Sequence, residues 1–291
     1  MLVSRWFRSI VPRLLVGVSL VPLACGAPSP SSPTPASVPG LIKPGSLVFA
    51  TTGNLPPFTQ VDPPSGKVTG YSIDLAELIA KNFGLQLETP TVDFVAELQG
   101  LASGQYDIAD SAIRPTPERQ QQFLFSIPLA SAAEVAVVRD SDRDKLSSGI
   151  SDVKGLRVGA NQGAVSESYL LDNQATLGYA SYSGFVGSAE AFLALETDRI
   201  DLYLADPAQS LYYIKQNPGK AAVVGPQIIP SPYALAMRQG NTGLQTAINP
   251  VLVKIVSDGT LAEIQKKWFG ACLATPNDIN AAAPYPNPPG C

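Results

Sequence analysis

Two arginines five residues apart, Arg114 and Arg119 in the segment YDIADSAIRPTPER at residues 106–119, are the first side chains of this sequence that point to a chemistry. Thr116 is a preferred helix N-cap and Pro117 suits the first helical position, so Arg119 falls in the first turn of a helix. A guanidinium there stands near unpaired backbone N–H groups and the positive end of the helix dipole, a setting that suits a carboxylate or another small anion. Most arginines are simply solvated, and on this segment alone that reading stands beside the functional one. The segment needs a scaffold, and YDIAD supplies its first part: a buried strand end that delivers the loop to the helix.

The chain has 291 residues, enough for one large or two medium domains, with 45% hydrophobic and 15% charged residues, an ordinary globular balance. It contains no histidine, which removes the commonest metal ligand and general base, so no metal, cofactor or catalytic residue is expected. Arg5, Arg8 and Arg13 precede an apolar run at 14–23 that ends in small residues, the pattern of an export signal over 1–25. That run is too short for a comfortable membrane span. Removing 1–25 takes away three arginines and no acid, moving the formal net charge from −4 to about −7 and making nucleic acid an improbable partner.

Cys25, flanked by Leu23, Ala24 and Gly26, resembles the acylated cysteine of bacterial lipoproteins, although Pro22 stands where that pattern has leucine. A lipid there would tether the chain without making it transmembrane; the competing reading is a signal-peptidase cut near Ala27. Residues 26–45, rich in proline and serine, read as a semi-extended linker. The remaining cysteines, Cys272 and Cys291, lie beyond the last helical pattern and are expected to pair in an exported protein, stapling a proline-rich tail.

Between linker and tail, strand and helix signals alternate. LVFATT at 47–52, LQLET, YDIAD, EVAVVRD, LRVGANQG, LGYASY, IDLYLAD, AAVVG and YALAMRQ read as strands. Helices are expected at 71–84, over FVAELQGLASG, from about Ser166, at 189–195, from Pro207, and at 241–256 and 258–269. In the first of these, Asp74, Glu77 and Lys81 form a charged face read as solvated. A charged break after residue 140 marks a second lobe. The expectation is two α/β lobes joined by two crossing segments: 46–138 plus 229–291, and 139–228.

Three separated motifs, GYSIDL at 70–75, YD with TPER at 106–119, and DGTL to KWFG at 258–270, resemble the bacterial extracellular solute-binding protein family 3, mostly amino-acid binding proteins of ABC importers. The resemblance covers about residues 46–270. It implies a type 2 periplasmic binding protein fold, an α/β architecture whose two lobes close by a hinge motion on a small ligand held at the carboxyl ends of their strands. It further implies a monomeric, non-enzymatic protein, exported to the periplasm or the outer face of the cell membrane, that hands its ligand to an ABC permease.

Carried over residue by residue, the family's site places Arg119 on the ligand carboxylate, where a bidentate fork is needed, and Asp206 on the ligand ammonium. Asp206 before Pro207 is also a good N-cap, which would explain it without a ligand. Where the family has hydroxyls near the carboxylate this chain has Ala112 and Arg114, and after Gly163 it has Ala164 and Val165 instead of Ser or Thr. Leu55 stands where many members place an aromatic ring over the ligand, with Phe58 nearby as a ligand residue or as core. A second acidic group on the ligand would answer Arg114; otherwise Arg114 points to solvent or pairs with Asp110 or Glu118. Two other classes remain at this point. A dehydratase-like enzyme of the same fold would have to use Glu167, Asp206 or Tyr71, and a sensing subunit would need a separate signalling partner.

Overall fold

Short apolar strands alternating with amphipathic helices build two five-stranded sheets and a small three-stranded one in a computed structural model that describes residues 38–281 and 286–291, within one unit, Pro35–Cys291. The signal at 1–25, Cys25 and linker residues 26–37 lie outside the described residues. The first part of the chain runs β1 (Ser46–Ala50), β2 (Asn54–Leu55), β3 (Thr59–Val61), β4 (Val68–Thr69), α1 (Tyr71–Phe83), β5 (Gln86–Glu88), α2 (Phe94–Ala102), β6 (Ile108–Ala109), α3 (Pro117–Gln122) and β7 (Phe123–Phe125). The second runs β8 (Ala130–Arg139), β9 (Arg157–Asn161), α4 (Val165–Asp172), α5 (Gln174–Leu177), β10 (Ser181–Phe185), α6 (Ser188–Glu196), β11 (Leu202–Ala205), α7 (Pro207–Gln216) and β12 (Ala221–Tyr233). The chain then returns through β13 (Ala236–Arg238), α8 (Thr242–Ser257) and α9 (Thr260–Phe269).

Strands β2, β3 and β4 form the small sheet, and the two five-stranded sheets share a plan. The first has the order β5-β1-β6-β13-β7 and the second β10-β9-β11-β8-β12. In each, three parallel strands from βαβ units are completed by antiparallel strands. Because helices cover both faces of the second sheet, its strands bury both sides: Val135 and Val137 of β8 enter one cluster with Tyr203, and Ala136 and Val138 enter the other with Leu202 and Leu204. Helices α8 and α9 pack Leu244, Ile248, Leu252 and Leu261 against Leu47 and Phe49 of β1, as expected for a return to the first lobe. The motif residue Asp74 is not a merely solvated charge: it accepts from Lys267 Nζ at 2.6 Å and Trp268 Nε1 at 2.8 Å, so the GYSIDL and KWFG segments meet.

Two segments cross between the lobes, β8 and β12, paired antiparallel from Ala130 opposite Tyr233 to Arg139 opposite Ala221. Pairing therefore places β8 in the second sheet from Ala130 on, and the boundary expected at 138/139 falls at the far end of that strand. β12 is far longer than the AAVVG segment suggests. Gly225, Pro226, Pro230 and Pro232 read as breakers, but β12 is an edge strand, where proline's missing donor costs no ladder bond. It takes register shifts between Val224 and Ile228 and between Ile228 and Ser231, with Ile229 at a φ of 54°. The strand read at LGYASY lies later, at Ser181–Phe185, because Leu177 ends α5 and Gly178 turns the chain in the left-handed region.

The linker expected to run to 45 is docked before that. Val38 and Leu41 pack against the first lobe's core, Ile42 N donates to Asp107 Oδ1 at 2.8 Å, and Asn241 Nδ2 donates to Gly40 O at 3.0 Å. At the other end Cys272 and Cys291 are bonded, and Ser131 Oγ of β8 donates to Ala274 O at 2.6 Å, which ties the tail to the base of a crossing strand. Among the described residues no helix is long and apolar enough to cross a membrane.

Candidate functional site

The cleft lies where the strand ends of both lobes face each other. From the first lobe it is lined by Thr52, Asn54, Leu55, Phe94, Ser111, Ala112, Arg114 and Arg119, and from the second sheet and its loops by Glu134, Asn161, Ala164, Val165, Ser166 and Asp206, with Tyr233 of β12 at its floor. Ser111 fixes the first wall: its Oγ accepts from Thr52 N at 2.9 Å and lies 3.2 Å from Thr51 Oγ1. Ala112 follows at a φ of 55°, an uncommon conformation for a residue with a Cβ, and this turns the loop toward Arg114.

Arg119 is delivered as its segment predicts. Thr116, in the extended region, accepts from Arg119 N through its side chain at 3.3 Å, and Pro117 occupies the first helical turn of α3. The guanidinium donates from Nη1 to Arg114 O at 3.1 Å and from Nη2 across the cleft to Gly163 O at 2.6 Å. It also lies over the Phe94 ring, 5.3 Å from the centroid. Burial, and then the nearby Arg114 charge, push its pKa down to about 10. Two of about five N–H donors are used on carbonyls, leaving the others for an anion in the cleft.

Arg114 behaves in neither way the sequence suggests. Its side chain is 4% exposed, not solvated, and its partners are Glu134 and Asp206, not Asp110 or Glu118. Nη2 lies 2.6 Å from Glu134 Oε1 and 3.7 Å from Asp206 Oδ2, and it donates to Ala133 O at 2.9 Å. Nη1 donates to Ile229 O at 3.4 Å, and the guanidinium stands 5.4 Å from the Tyr233 ring centroid. Burial works against this charge, but Glu134, Tyr233 and Asp206 outweigh it and the Arg114 pKa is raised. With its donors turned to the crossing strands and to these carboxylates, Arg114 offers a second acidic ligand group no open fork.

Asp206 caps α7. Its Oδ1 accepts from Ala208 N at 2.8 Å and Gln209 N at 3.2 Å, and its Oδ2 accepts from the Tyr233 hydroxyl. Burial raises its pKa, opposed by Arg114 and these hydrogen bonds. Burial also pushes Glu134 up to about 7 against the pull of Arg114. Glu134 does not stand out in the sequence, because at the start of the apolar run EVAVV it looks like a strand end; only the pairing of β8 with β12 brings it beside Arg114. Phe94 does not stand out either. It lines the cleft with Leu55, its ring beside the Arg119 guanidinium; the one signal is its place just after Asp93, at a helix start.

The second-lobe turn has a different construction. Gly163, at a φ of 73°, presents its carbonyl to Arg119, while its N–H donates to Glu167 Oε2 at 2.6 Å. Ala164 gives α4 no side-chain cap, so the first-turn N–H groups of Val165 and Ser166, both cleft-lining residues, have no intrahelical partner. Phe58 does not line the cleft. It is 1% exposed, packed at 5.9, 5.2 and 5.0 Å from the rings of Tyr71, Tyr233 and Phe269, and is core beneath the loop.

Two α/β lobes joined by two strands and closed over a charged cleft are the architecture of a type 2 periplasmic binding fold. The family of bacterial extracellular solute-binding proteins, family 3, matches residues 47–271, and the chain belongs to that family. It is 28% identical over 258 residues to the L-cystine-binding protein TcyJ of Escherichia coli (strain K12), across 88% of this chain and 95% of that protein. An ancestral arginine-binding protein, solved bound to arginine, is similar with a TM-score of 0.72 and 36% identity, over 78% of this chain and 99% of that one. The ancestral amino acid-binding protein AncCDT-1, a precursor of cyclohexadienyl dehydratase, is similar with a TM-score of 0.69 and 30% identity, over 77% of this chain and 95% of that one.

Proposed function

We propose that this solute-binding protein captures an amino acid between its lobes and passes it to the membrane permease of an ABC importer. The observation that carries the reading is Arg119: a capped helix start holds its guanidinium in the cleft with donors to spare, opposite an acidic floor formed by Asp206 and Glu134 around Arg114. A zwitterion matches that polarity, its carboxylate on Arg119 and its ammonium toward the acids. The partner-free N–H groups at the start of α4 add donors for the carboxylate. Relatives named for cystine and arginine support the same ligand class.

The enzyme reading has less support. Tyr71 donates to Leu129 O at 2.8 Å away from the cleft, Glu167 is held by Gly163 N and by Tyr182 at 2.6 Å, and Asp206 is engaged as a cap. The protein acts as a monomer outside the cytoplasm, and acylation of Cys25 with the linker behind it keeps it near its permease.

A thermal-shift screen of L-amino acids, dicarboxylates, opines and polyamines tests the reading, because a ligand that binds only the folded state raises the melting temperature. Stabilisation by L-arginine, L-glutamine or L-cystine is expected. A shift with polyamines alone would refute the carboxylate role of Arg119.

A further inference from the structure

Helix α2 carries a carboxyl group that the cleft described above leaves without a task. Glu97 stands one turn after Phe94 on that helix and is 0% exposed. Among the described residues, neither its Oε1 nor its Oε2 has a hydrogen-bond partner. A carboxylate shut away from water without donors is costly, so the group is held as the neutral acid, and burial pushes its pKa well above the usual carboxylate range.

The groups that act on Glu97 belong to the first wall of the cleft. From the loop after β6, the Ser111 hydroxyl and the Asp110 N–H favour its ionised form, and the Asp110 carboxyl opposes it. From α3, Arg119 favours ionisation too, through the guanidinium that lies over the Phe94 ring. Around the rest of α2, Tyr106 packs on Gly100, Arg238 of β13 reaches Gly104 just beyond the helix, and Gly163 of the facing lobe, its N–H held by Glu167, lies against Phe94 and Val95. Arg114 and the exposed Glu118 act on the Arg119 guanidinium in turn. That guanidinium donates to Arg114 O and Gly163 O and not to Glu97. Its charge is therefore what an ionised Glu97 and a ligand carboxylate would share.

We propose that Glu97 is a proton-linked regulator of carboxylate capture at Arg119: with its proton it leaves that charge to the ligand, and without it, it competes with the ligand for the same guanidinium. The inference rests on the amino-acid reading above. Glu97 does not line the cleft and acts through Arg119. A bound carboxylate takes up the Arg119 charge that otherwise favours ionised Glu97, so Glu97 holds its proton more tightly in the complex than in the empty protein. Affinity is full at acid pH and falls as Glu97 ionises.

The test is isothermal titration of wild-type and Glu97→Gln protein at about pH 5 and about pH 8, with whichever L-amino acid binds the wild type most tightly. The two proteins should bind alike at the lower pH, and at the higher the wild type should be weaker than the variant by at least about fivefold, as expected when a like charge appears near the ligand carboxylate. Asp110, Glu134 and Asp206, whose pKa values are also raised, titrate in both proteins, so the ratio of the two affinities isolates Glu97. Repeated in two buffers of different ionisation enthalpy, the titration should show the wild type taking up more protons on binding than the variant. An affinity ratio that changes by less than about twofold between the two pH values overturns the inference. If Glu97→Gln does not fold, Glu97→Leu, which also removes the titrating group, is read the same way. Wild-type protein that binds no L-amino acid at either pH overturns the amino-acid reading and this role with it; binding with an unchanged ratio overturns the role of Glu97 alone.

Discussion

The same dipeptide ends the central strand of each lobe, Ala109-Asp110 after β6 and Ala205-Asp206 after β11, and the two aspartates come to opposite uses. The likeness extends back to the start of each strand. Asp107 accepts from Val48 N at 2.8 Å and Asp201 from Arg157 N at 2.9 Å, so in each lobe an aspartate at the base of the strand accepts from the backbone of a neighbouring strand. At the cleft end the lobes part. Asp206 meets Pro207, caps α7 and stays at the cleft wall. Asp110 is followed by Ser111 and the left-handed Ala112, sinks behind the wall among Phe58, Tyr71 and Leu129, and burial pushes its pKa up to about 7. The residues just after a strand-end acid thus decide whether it is spent on a helix at the cleft wall or sunk into the core with a raised pKa. In the first lobe the charge with donors left over at the cleft is instead that of Arg119, further along the loop.

The largest way to disturb this contrast is to remove the cation that spans the floor. Arg114→Met leaves Glu134 buried without its counter-ion and should cost about 3–5 kcal/mol of folding stability, read by denaturant unfolding. Stability unchanged in that variant would mean the pair is not buried as described.

Asp110 is tested by pH. Its folded pKa lies above its unfolded one, so the stability it contributes is complete below about pH 4 and is lost as pH rises toward about 7. About three pKa units correspond to a decline on the order of 4 kcal/mol over that window, which Asp110→Asn should flatten. Burial raises Glu134 and Asp206 in the same direction, so part of the decline should persist. Unfolding curves at several pH values for both proteins decide it, and parallel curves would show that Asp110 is not the source.

At the cleft itself, Arg119→Lys keeps the charge but loses the planar fork, and should weaken amino-acid binding by about ten- to a hundredfold with little change in melting temperature. The smallest effect is local. Thr116→Ala removes the N-cap of α3 and should cost about 1 kcal/mol, whereas Asp206→Asn, which keeps a capping side chain, should change stability by less than that.

The features legible in the sequence are those whose signals are local. The cap, the proline and the first-turn arginine of α3 act within four residues, and the structure places Arg119 in the cleft accordingly. Helix α7 begins at Pro207 for the same reason. Arg114 is misread from sequence because its partners are remote in the chain: Glu134 lies twenty residues on and Asp206 ninety-two, brought together only by the crossing of β8 and β12. Strand β12 is cut short in a sequence reading because proline argues against a strand unless one knows that the strand lies at a sheet edge, which is a property of topology. The tail cysteines need only compartment chemistry to be paired, but the contact of the tail with Ser131 requires the fold.

The two strands between the lobes are not alike. β8 runs unbroken with its side chains locked alternately into two apolar clusters, whereas β12 carries the register shifts, Gly225 and the left-handed Ile229 over a few residues. We therefore expect β12, and not β8, to take up a turn of one lobe against the other. Amide hydrogens at residues 225–230 should exchange with solvent well before those at 135–138, and a captured solute should slow the former group while leaving the latter almost unchanged.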